Sequence, residues 1–556
     1  MEQEIYILLQ KAFLVLVFLG VIQVFYLLYK KTDSFIGSLL ISLLSFLLLR
    51  GFLFLWFSIG VVFCAVNGWK IYRKLAKKRD RKPKTLERTS DEILYLETGI
   101  GTVTIENPYR GTIVIGGAGS GKSKSLFYPI IQQFMENKYT GILYDFKSPE
   151  LSELAHYYKN DKINFAILSF KNHEISTRVN PLSPKYVTKQ AIAFELATVL
   201  INNLLPESIK SKDYWTRTSI SILSGVIWYL RNNYPQFSSL PHLIAMVLAF
   251  PSTVLIEKLT QDPETAGMIA SLKEAHEMKA EKQIAGVVGT LKNSLAQLNI
   301  PEVFYLLSED ETSLDLNNPE QGTFLCVGND SSLSDTYAPI ISLIVSVSAR
   351  LMNQPNKLKS AIILDEAPTL YIPNFEQIPA TARSNRVATV LGVQDYSQMV
   401  DKYGRDKAQV MISNLGNQFY GRTVNEQTAK MIISLFGKHD VKFKSSSKSA
   451  SENTYGSSSS SKSISESYQQ RERVKISDIT NASPGKFYGV IAQGNYNELL
   501  GVQFGEVDSK YRKFEKKEDS YPREIFNKIY KDVEEIKSGR NQEQNSTSEE
   551  IVINLD

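Results

Sequence analysis

Thr112-Ile113-Val114-Ile115-Gly116-Gly117-Ala118-Gly119-Ser120-Gly121-Lys122-Ser123 is a β-branched run that breaks into a glycine-rich turn and ends in a lysine and a hydroxyl. Four consecutive β-branched residues suit a short pleated strand. The turn satisfies G-x4-G-K-[ST], a pattern that cradles phosphate. Glycines at Gly116, Gly119 and Gly121 let backbone N–H groups, with those of Ser120 and Lys124, curl around an anion. Lys122 is placed to reach the β- and γ-phosphates, and the Ser123 hydroxyl to ligate Mg²⁺. Residues 125–135 can open a helix whose positive end faces the same anion. The ligand expected from this turn is ATP with Mg²⁺.

A phosphate cradle that hydrolyses its nucleotide needs acids, and these stand far away in the chain. Ser360-Ala361-Ile362-Ile363-Leu364-Asp365-Glu366 is an apolar strand with two carboxylates at its tip. Asp365 is expected to hold the metal shell and Glu366 to polarise the attacking water, because phosphoryl transfer depends on positioning and charge neutralisation. Val387-Ala388-Thr389-Val390-Leu391-Gly392-Val393 reads as another buried strand, and Gln394 at its tip is placed to sense a γ-phosphate. Gly141-Ile142-Leu143-Tyr144-Asp145 closes similarly, with Lys147 beyond it. Strands alternating with helices predict an α/β fold with a mostly parallel sheet, covered on both faces, with the nucleotide at the carboxyl ends of the strands.

The chain has 556 residues, too many for one ordinary domain, and 63 Lys+Arg against 58 Asp+Glu leave only +5. So mild a balance does not by itself argue for nucleic acid. Residues 5–28 and 35–69 are almost continuously apolar, interrupted at Arg50, and are long enough for two or three membrane spans. Ten cations between Lys70 and Arg88 then place the rest in the cytoplasm by the positive-inside tendency. The localisation expected is therefore a multi-pass membrane protein with its soluble part in the cytoplasm. The two cysteines, Cys64 and Cys326, belong to no CxxC or Cys/His cluster, which argues against a disulfide framework or a zinc site.

Between Ser183 and Asn299 glycines are sparse, and Trp215, Ile222, Val226 and Leu230 recur at helical spacing. The pair Tyr214-Trp215 is expected in the core of this helical insertion rather than as a base-stacking platform, and Lys273, Lys279 and Lys282 as a solvated face. Serine dominates from Lys444 to Ser467, which predicts a disordered surface loop over 443–472. Residues 487–492 and 499–504 read as the last strands, followed by a charged tail with one amphipathic helix near 525–536 and disorder from Ser538 onward.

Taken in order, the basic junction, Gly116 to Ser123, Asp145/Lys147, Asn180-Pro181-Leu182, Tyr214-Trp215, Asp365-Glu366, and Ala382-Arg383-Ser384 leading to Gln394 form a recognisable set. With Tyr403-Gly404, Ile412-Ser413-Asn414 and 428–437, they resemble the type IV coupling proteins of bacterial conjugation, the TraG/TraD and VirD-type family, from about Pro108 to Phe504. The resemblance implies a RecA/HerA-FtsK-like P-loop ATPase domain with an inserted all-α domain, a homo-hexameric ring, and Arg383 as a finger reaching a neighbour's nucleotide. It implies as partners relaxase-bound, single-stranded DNA, the components of a type IV secretion channel, and the inner membrane. The division expected is a transmembrane region over 1–70, a basic linker over 71–107, an ATPase domain built from 108–182 and 306–506, an all-α domain inserted at 183–305, and a tail over 507–556. A chromosome-pumping or packaging translocase and a nucleotide-gated receptor without motor activity are the alternatives. Two departures stand out. The motif from Asp145 to Leu151 is one residue longer than the family pattern, and Ala367-Pro368 follows the acidic pair where a bulkier residue is common.

Overall fold

The computed structural model describes residues 69, 90, 92–211, 213–452, 458–508, 510–517 and 521–539, with the backbone only for 448–452 and 458–462. The described residues from Ser90 onward make one compact unit.

The chain opens with a hairpin, β1 (Leu94–Thr98) and β2 (Gly101–Ile105), and then enters a large sheet at β3 (Thr112–Ile115). That sheet gains β4 (Thr140–Asp145), β5 (Asn164–Ser169), β6 (Thr323–Gly328), β7 (Ser360–Leu364), β8 (Val387–Val393) and β9 (Asn417–Tyr420). It closes with β12 (Lys486–Val490) and β13 (Glu498–Gln503). Among the described residues the nine strands run in the order β13-β12-β9-β3-β8-β7-β4-β6-β5. All neighbours from β9 to β5 are parallel, and only β12 and β13 pair antiparallel at one edge.

The strands are apolar throughout because each is buried on both faces. In β4, Ile142 and Tyr144 enter one core and Leu143 the other; in β7, Ile362 and Leu364 oppose Ala361 and Ile363. Each large apolar side chain so enclosed contributes about 1.5–3 kcal/mol. One face is covered by α1 (Tyr128–Glu136), α2 (Glu150–Tyr157) and the β1–β2 hairpin. The other carries a long helical stretch between β5 and β6. It includes α3 (Gln190–Leu204), α4 (Tyr214–Asn233), α5 (Leu240–Ala249), α6 (Glu281–Ala296) and α7 (Pro301–Leu307), and α3 packs on α8 (Ser334–Met352), which follows β6.

The register of the sheet fixes what lies at its carboxyl edge. Ile115 pairs with Val393, Leu364 with Leu391, and Tyr144 with Leu364. The next residue along each strand is Gly116, Gln394, Asp365 and Asp145, so four distant segments end side by side.

Several expectations are altered. The multi-pass inner-membrane reading, and the cytoplasmic placement that depended on it, is corrected: among the described residues no helix is long and apolar enough to cross a membrane. The long apolar helices that are described, such as α8, owe that character to burial against the sheet. The stretches 5–28 and 35–69 on which that reading rested lie outside the described residues, Trp69 excepted. The aromatic pair is not in the core, for Tyr214 and Trp215 remain 45% and 44% exposed. The reason is local. Asp213 caps α4 by accepting from the Thr216 N–H at 2.8 Å, so the pair occupies the first turn, before the buried face begins. Lys273, Lys279 and Lys282 are exposed.

The serine-rich stretch forms a two-stranded ribbon, β10 (Lys438–Glu452) with β11 (Ser458–Glu472), paired in antiparallel register throughout. Composition spoke truly about burial, since residues 463–472 are exposed, but a ribbon satisfies its backbone without apolar side chains. After β13 the chain runs extended past α2 and β5. The Arg512 N–H donates to the Glu153 carbonyl at 3.1 Å, the Lys517 N–H donates to that of Glu174 at 2.7 Å, and Phe514 stacks on His156. It ends in α9 (Pro522–Ser538), which buries Ile529, Val533 and Ile536 against α5 and α7. Residues 540–556, read as disordered, lie outside the described residues.

Candidate nucleotide-binding site

The glycine-rich turn leaves β3 with its Gly116 N–H bonded to the Val393 carbonyl at 3.0 Å and that of Gly117 to Arg422 at 2.8 Å. Glycine is required at Gly121. Its φ is +90°, and a Cβ there would meet the Gly485 nitrogen at 2.4 Å. The Gly485 N–H in turn holds the Ser120 carbonyl at 2.9 Å, so the loop before β12 braces the turn from outside. The helical run after the turn starts with a π-type turn, Ser123–Phe127, and continues into α1.

One cavity joins this turn to the acidic strand ends. It is lined by 117–124, Asp145, Lys147, Glu150, Leu151, Asp365, Glu366 and Gln394. Lys122 Nζ donates to the Val393 carbonyl at 3.1 Å and stands 3.9 Å from the Glu366 carboxylate, both side chains nearly buried. Burial pushes the Lys122 ammonium below its ordinary range, while Glu366 and Asp365 oppose the shift. Glu366 is held on three sides: Oε1 accepts from the Gln394 N–H at 3.1 Å, Lys122 faces Oε2, and Thr369 Oγ1 donates to its carbonyl at 2.7 Å. Burial also raises the Glu366 and Asp365 carboxyls, and Asp145 adds to the rise at Asp365. Asp145 is driven up to about 6 by burial, against the lowering effect of Ser152. Near these acids the Tyr128 hydroxyl donates to Glu150.

Such a site is an acceptor-rich pocket beside the glycine-rich turn with one buried cation. Ser123 and Asp365 offer a hydroxyl and a carboxylate, oxygen donors of the kind magnesium takes. Of the residues singled out in the sequence, Gly119, Ser120, Gly121, Lys122, Ser123, Lys124, Asp365, Glu366 and Gln394 share the cavity. Gly116 sits behind it as the hinge from β3. Arg383 stands elsewhere, exposed in the Ala382–Asn385 turn that precedes β8, at the opposite end of a strand spanning about 20 Å. Sequence reasoning left Glu150, Leu151 and Tyr128 unassigned and gave Asp145 and Lys147 no task. Only the apolar run ending in Asp145 hinted at it, since it matches that ending in Asp365.

The nine-stranded, largely parallel sheet and the lysine-bearing turn at its carboxyl edge define a P-loop ATPase-type domain. A family model described as type IV secretory system conjugative DNA transfer matches residues 70–480. The chain belongs to that family of conjugative coupling proteins. It is 21% identical over 314 residues to the coupling protein TraD of Escherichia coli (strain K12), a match spanning 53% of this chain and 42% of TraD, so the chain covers less than half the length of that relative. Among solved structures it resembles the unbound bacterial conjugative coupling protein TrwBdeltaN70, with a TM-score of 0.54 at 15% identity, over 78% of this chain and 92% of that one. It also resembles plasmid coupling protein TrwB in complex with the non-hydrolysable ATP analogue ADPNP, with a TM-score of 0.52 at 14% identity, over 79% and 93%.

Proposed function

We propose that this chain binds Mg-ATP in the cavity between the glycine-rich turn and Asp365-Glu366, and couples hydrolysis to moving DNA into a type IV secretion channel. The observation that carries it is the meeting of Lys122 and Glu366, far apart in sequence, at 3.9 Å in one buried pocket. In this reading Lys122 binds the β- and γ-phosphates, with the turn's N–H groups around them. Magnesium, held by Ser123 and Asp365, supplies charge neutralisation across the phosphates. Glu366 orients the attacking water. Its present bonds to Lys122 and Gln394 keep it aimed at the place where that water must stand. Gln394, at the tip of β8, joins the γ-phosphate to the strand that separates the turn from Asp365.

Arg383 does not reach this pocket in its own chain, so its role is to complete a neighbour's pocket in a homo-hexameric ring. The substrate is relaxase-bound, single-stranded DNA, and the helical insertion between β5 and β6 forms the all-α domain of the 183–305 segment. Family membership and the likeness to TrwB, a structure of which is in complex with ADPNP, support this reading.

The test is ATP hydrolysis by the full chain with and without single- and double-stranded DNA, across a salt series. DNA-stimulated turnover that weakens steeply with salt is expected, since phosphate contacts release counterions. Replacing Lys122 by Ala is expected to lower kcat by about 10²-fold or more. Turnover that ignores DNA, or that survives this replacement, would overturn the proposal.

A further inference from the structure

The geometry points to Asp145 as a positioning residue of this site: its Oδ1 accepts hydrogen bonds from water carried by a divalent cation held between Ser123 and Asp365. The inference rests on the Mg-ATP reading above and adds a residue to it.

Asp145 is 0% exposed, yet its two oxygens are treated differently. Oδ2 takes both donors of Ser152, the backbone N–H at 2.9 Å and the hydroxyl at 2.8 Å. Oδ1 is buried with no partner at hydrogen-bond geometry, although the Leu151 N–H approaches the carboxyl and helps Ser152 to lower it. An orphaned buried acceptor is destabilising, and more so when it is charged. Ser152 belongs to α2, so the helix that follows β4 locks the carboxylate in one orientation and leaves its second oxygen unmet. Asp145 succeeds Tyr144, the register partner of Leu364, and therefore stands beside Asp365 on the adjacent strand. It lines the same cavity as Ser123, Asp365 and Glu366.

The chemistry of the missing donor follows from the neighbours. Magnesium dehydrates reluctantly and binds through one or two carboxylates plus phosphate oxygens, keeping several waters. Those waters are pure donors towards the protein, and a fixed carboxylate oxygen is the acceptor that orients them. Among the described residues no group of three or more His, Cys, Asp or Glu is placed to hold a metal directly. Lys147, two residues beyond Asp145, lines the cavity too, so β4 ends in an acceptor for the hydrated cation and a cation of its own.

The experiment uses the purified full chain, a fluorescent N-methylanthraniloyl ADP, and titrations of Mg²⁺, with Mn²⁺ followed by electron paramagnetic resonance as the second readout. For Asp145→Asn, the affinity for nucleotide in EDTA is expected to stay within about twofold of wild type. The cation concentration at half-saturation is expected to rise about 10–100-fold. Ser152→Ala, which removes the hydroxyl donor to Oδ2 but keeps the backbone N–H and the carboxylate, is expected to shift the cation requirement in the same direction by less. A cation requirement within about twofold of wild type for a folded Asp145→Asn protein overturns the inference. If that variant does not fold, judged by circular dichroism, an unchanged requirement in Ser152→Ala overturns it instead. Wild-type protein that binds no nucleotide with or without cation sinks the underlying Mg-ATP reading, an outcome separate from nucleotide binding whose cation dependence ignores Asp145.

Discussion

Replacing Asp145 by Asn should stabilise the protein when cation and nucleotide are absent, and the size of the effect can be worked out. Burial lifts the folded-state carboxyl from 3.8 to about 6. Between those values the folded chain holds a proton that the unfolded chain has released. The stability tied to this group is therefore fully present below about pH 4 and is lost as pH rises through about 6. Roughly two pK units at 1.36 kcal/mol each make the ionised group about 3 kcal/mol unfavourable at pH 7.5. The amide keeps an acceptor for Ser152 and carries no charge. It also relieves Asp365, whose carboxyl is raised by burial first and by Asp145 next. For a unit running from Thr85 to Asp556 the unfolding entropy is on the order of 1 kcal/mol/K, so the expected gain in Tm is about 3 °C. The assay is thermal unfolding in EDTA at four pH values from 4.5 to 7.5. The variant should pull ahead of wild type as pH rises and lose its lead when Mg²⁺ and ADP are added. A variant no more stable than wild type at pH 7.5, or a gap that narrows with rising pH, refutes the reasoning.

Asn203→Ala should cost about 2–4 kcal/mol in denaturant unfolding, because the amide meets both the N–H and the carbonyl of Tyr371, at 3.0 and 2.7 Å. A loss below about 0.5 kcal/mol would show those groups finding other partners. Gly392→Ala puts a Cβ within 2.0 Å of the Asp365 carbonyl, where β7 and β8 end, and should cost about 3 kcal/mol and weaken nucleotide binding. Wild-type unfolding by this variant would mean the strand ends are less tightly apposed. Trp215→Ala, by contrast, should change stability by less than about 1 kcal/mol, since the indole is half exposed. A loss above about 2 kcal/mol would restore its reading as a core residue.

The phosphate turn was legible because its chemistry is local: residues 116–123 are contiguous, and the glycines declare themselves. The parallel sheet was legible for a related reason, since strands buried on both faces are apolar without alternation. Asp365, Glu366 and Gln394 were within reach because each closes such a run. Asp145 closes one too, but its unmet oxygen depends on Ser152 and on the register of β4 with β7, which no stretch of sequence displays. The aromatic pair was misplaced because spacing counts turns of a helix and does not say where the helix begins. Asp213 does. The serine-rich ribbon was read as a loop because composition reports what is buried, and backbone pairing buries nothing there.

The extended segment 510–517 and α9 have a mechanical consequence. The helical insertion is covalently joined to the sheet at two points, after β5 and before β6, and packs on α8 through α3. The terminal stretch adds a third tether: it is pinned to Glu153 and Glu174 near β5, stacked through Phe514 on His156, and seated on α5 and α7 at its far end. Moving the insertion against the sheet would therefore have to break contacts along this strap as well, one end of which lies on α2, the helix whose Ser152 grips Asp145.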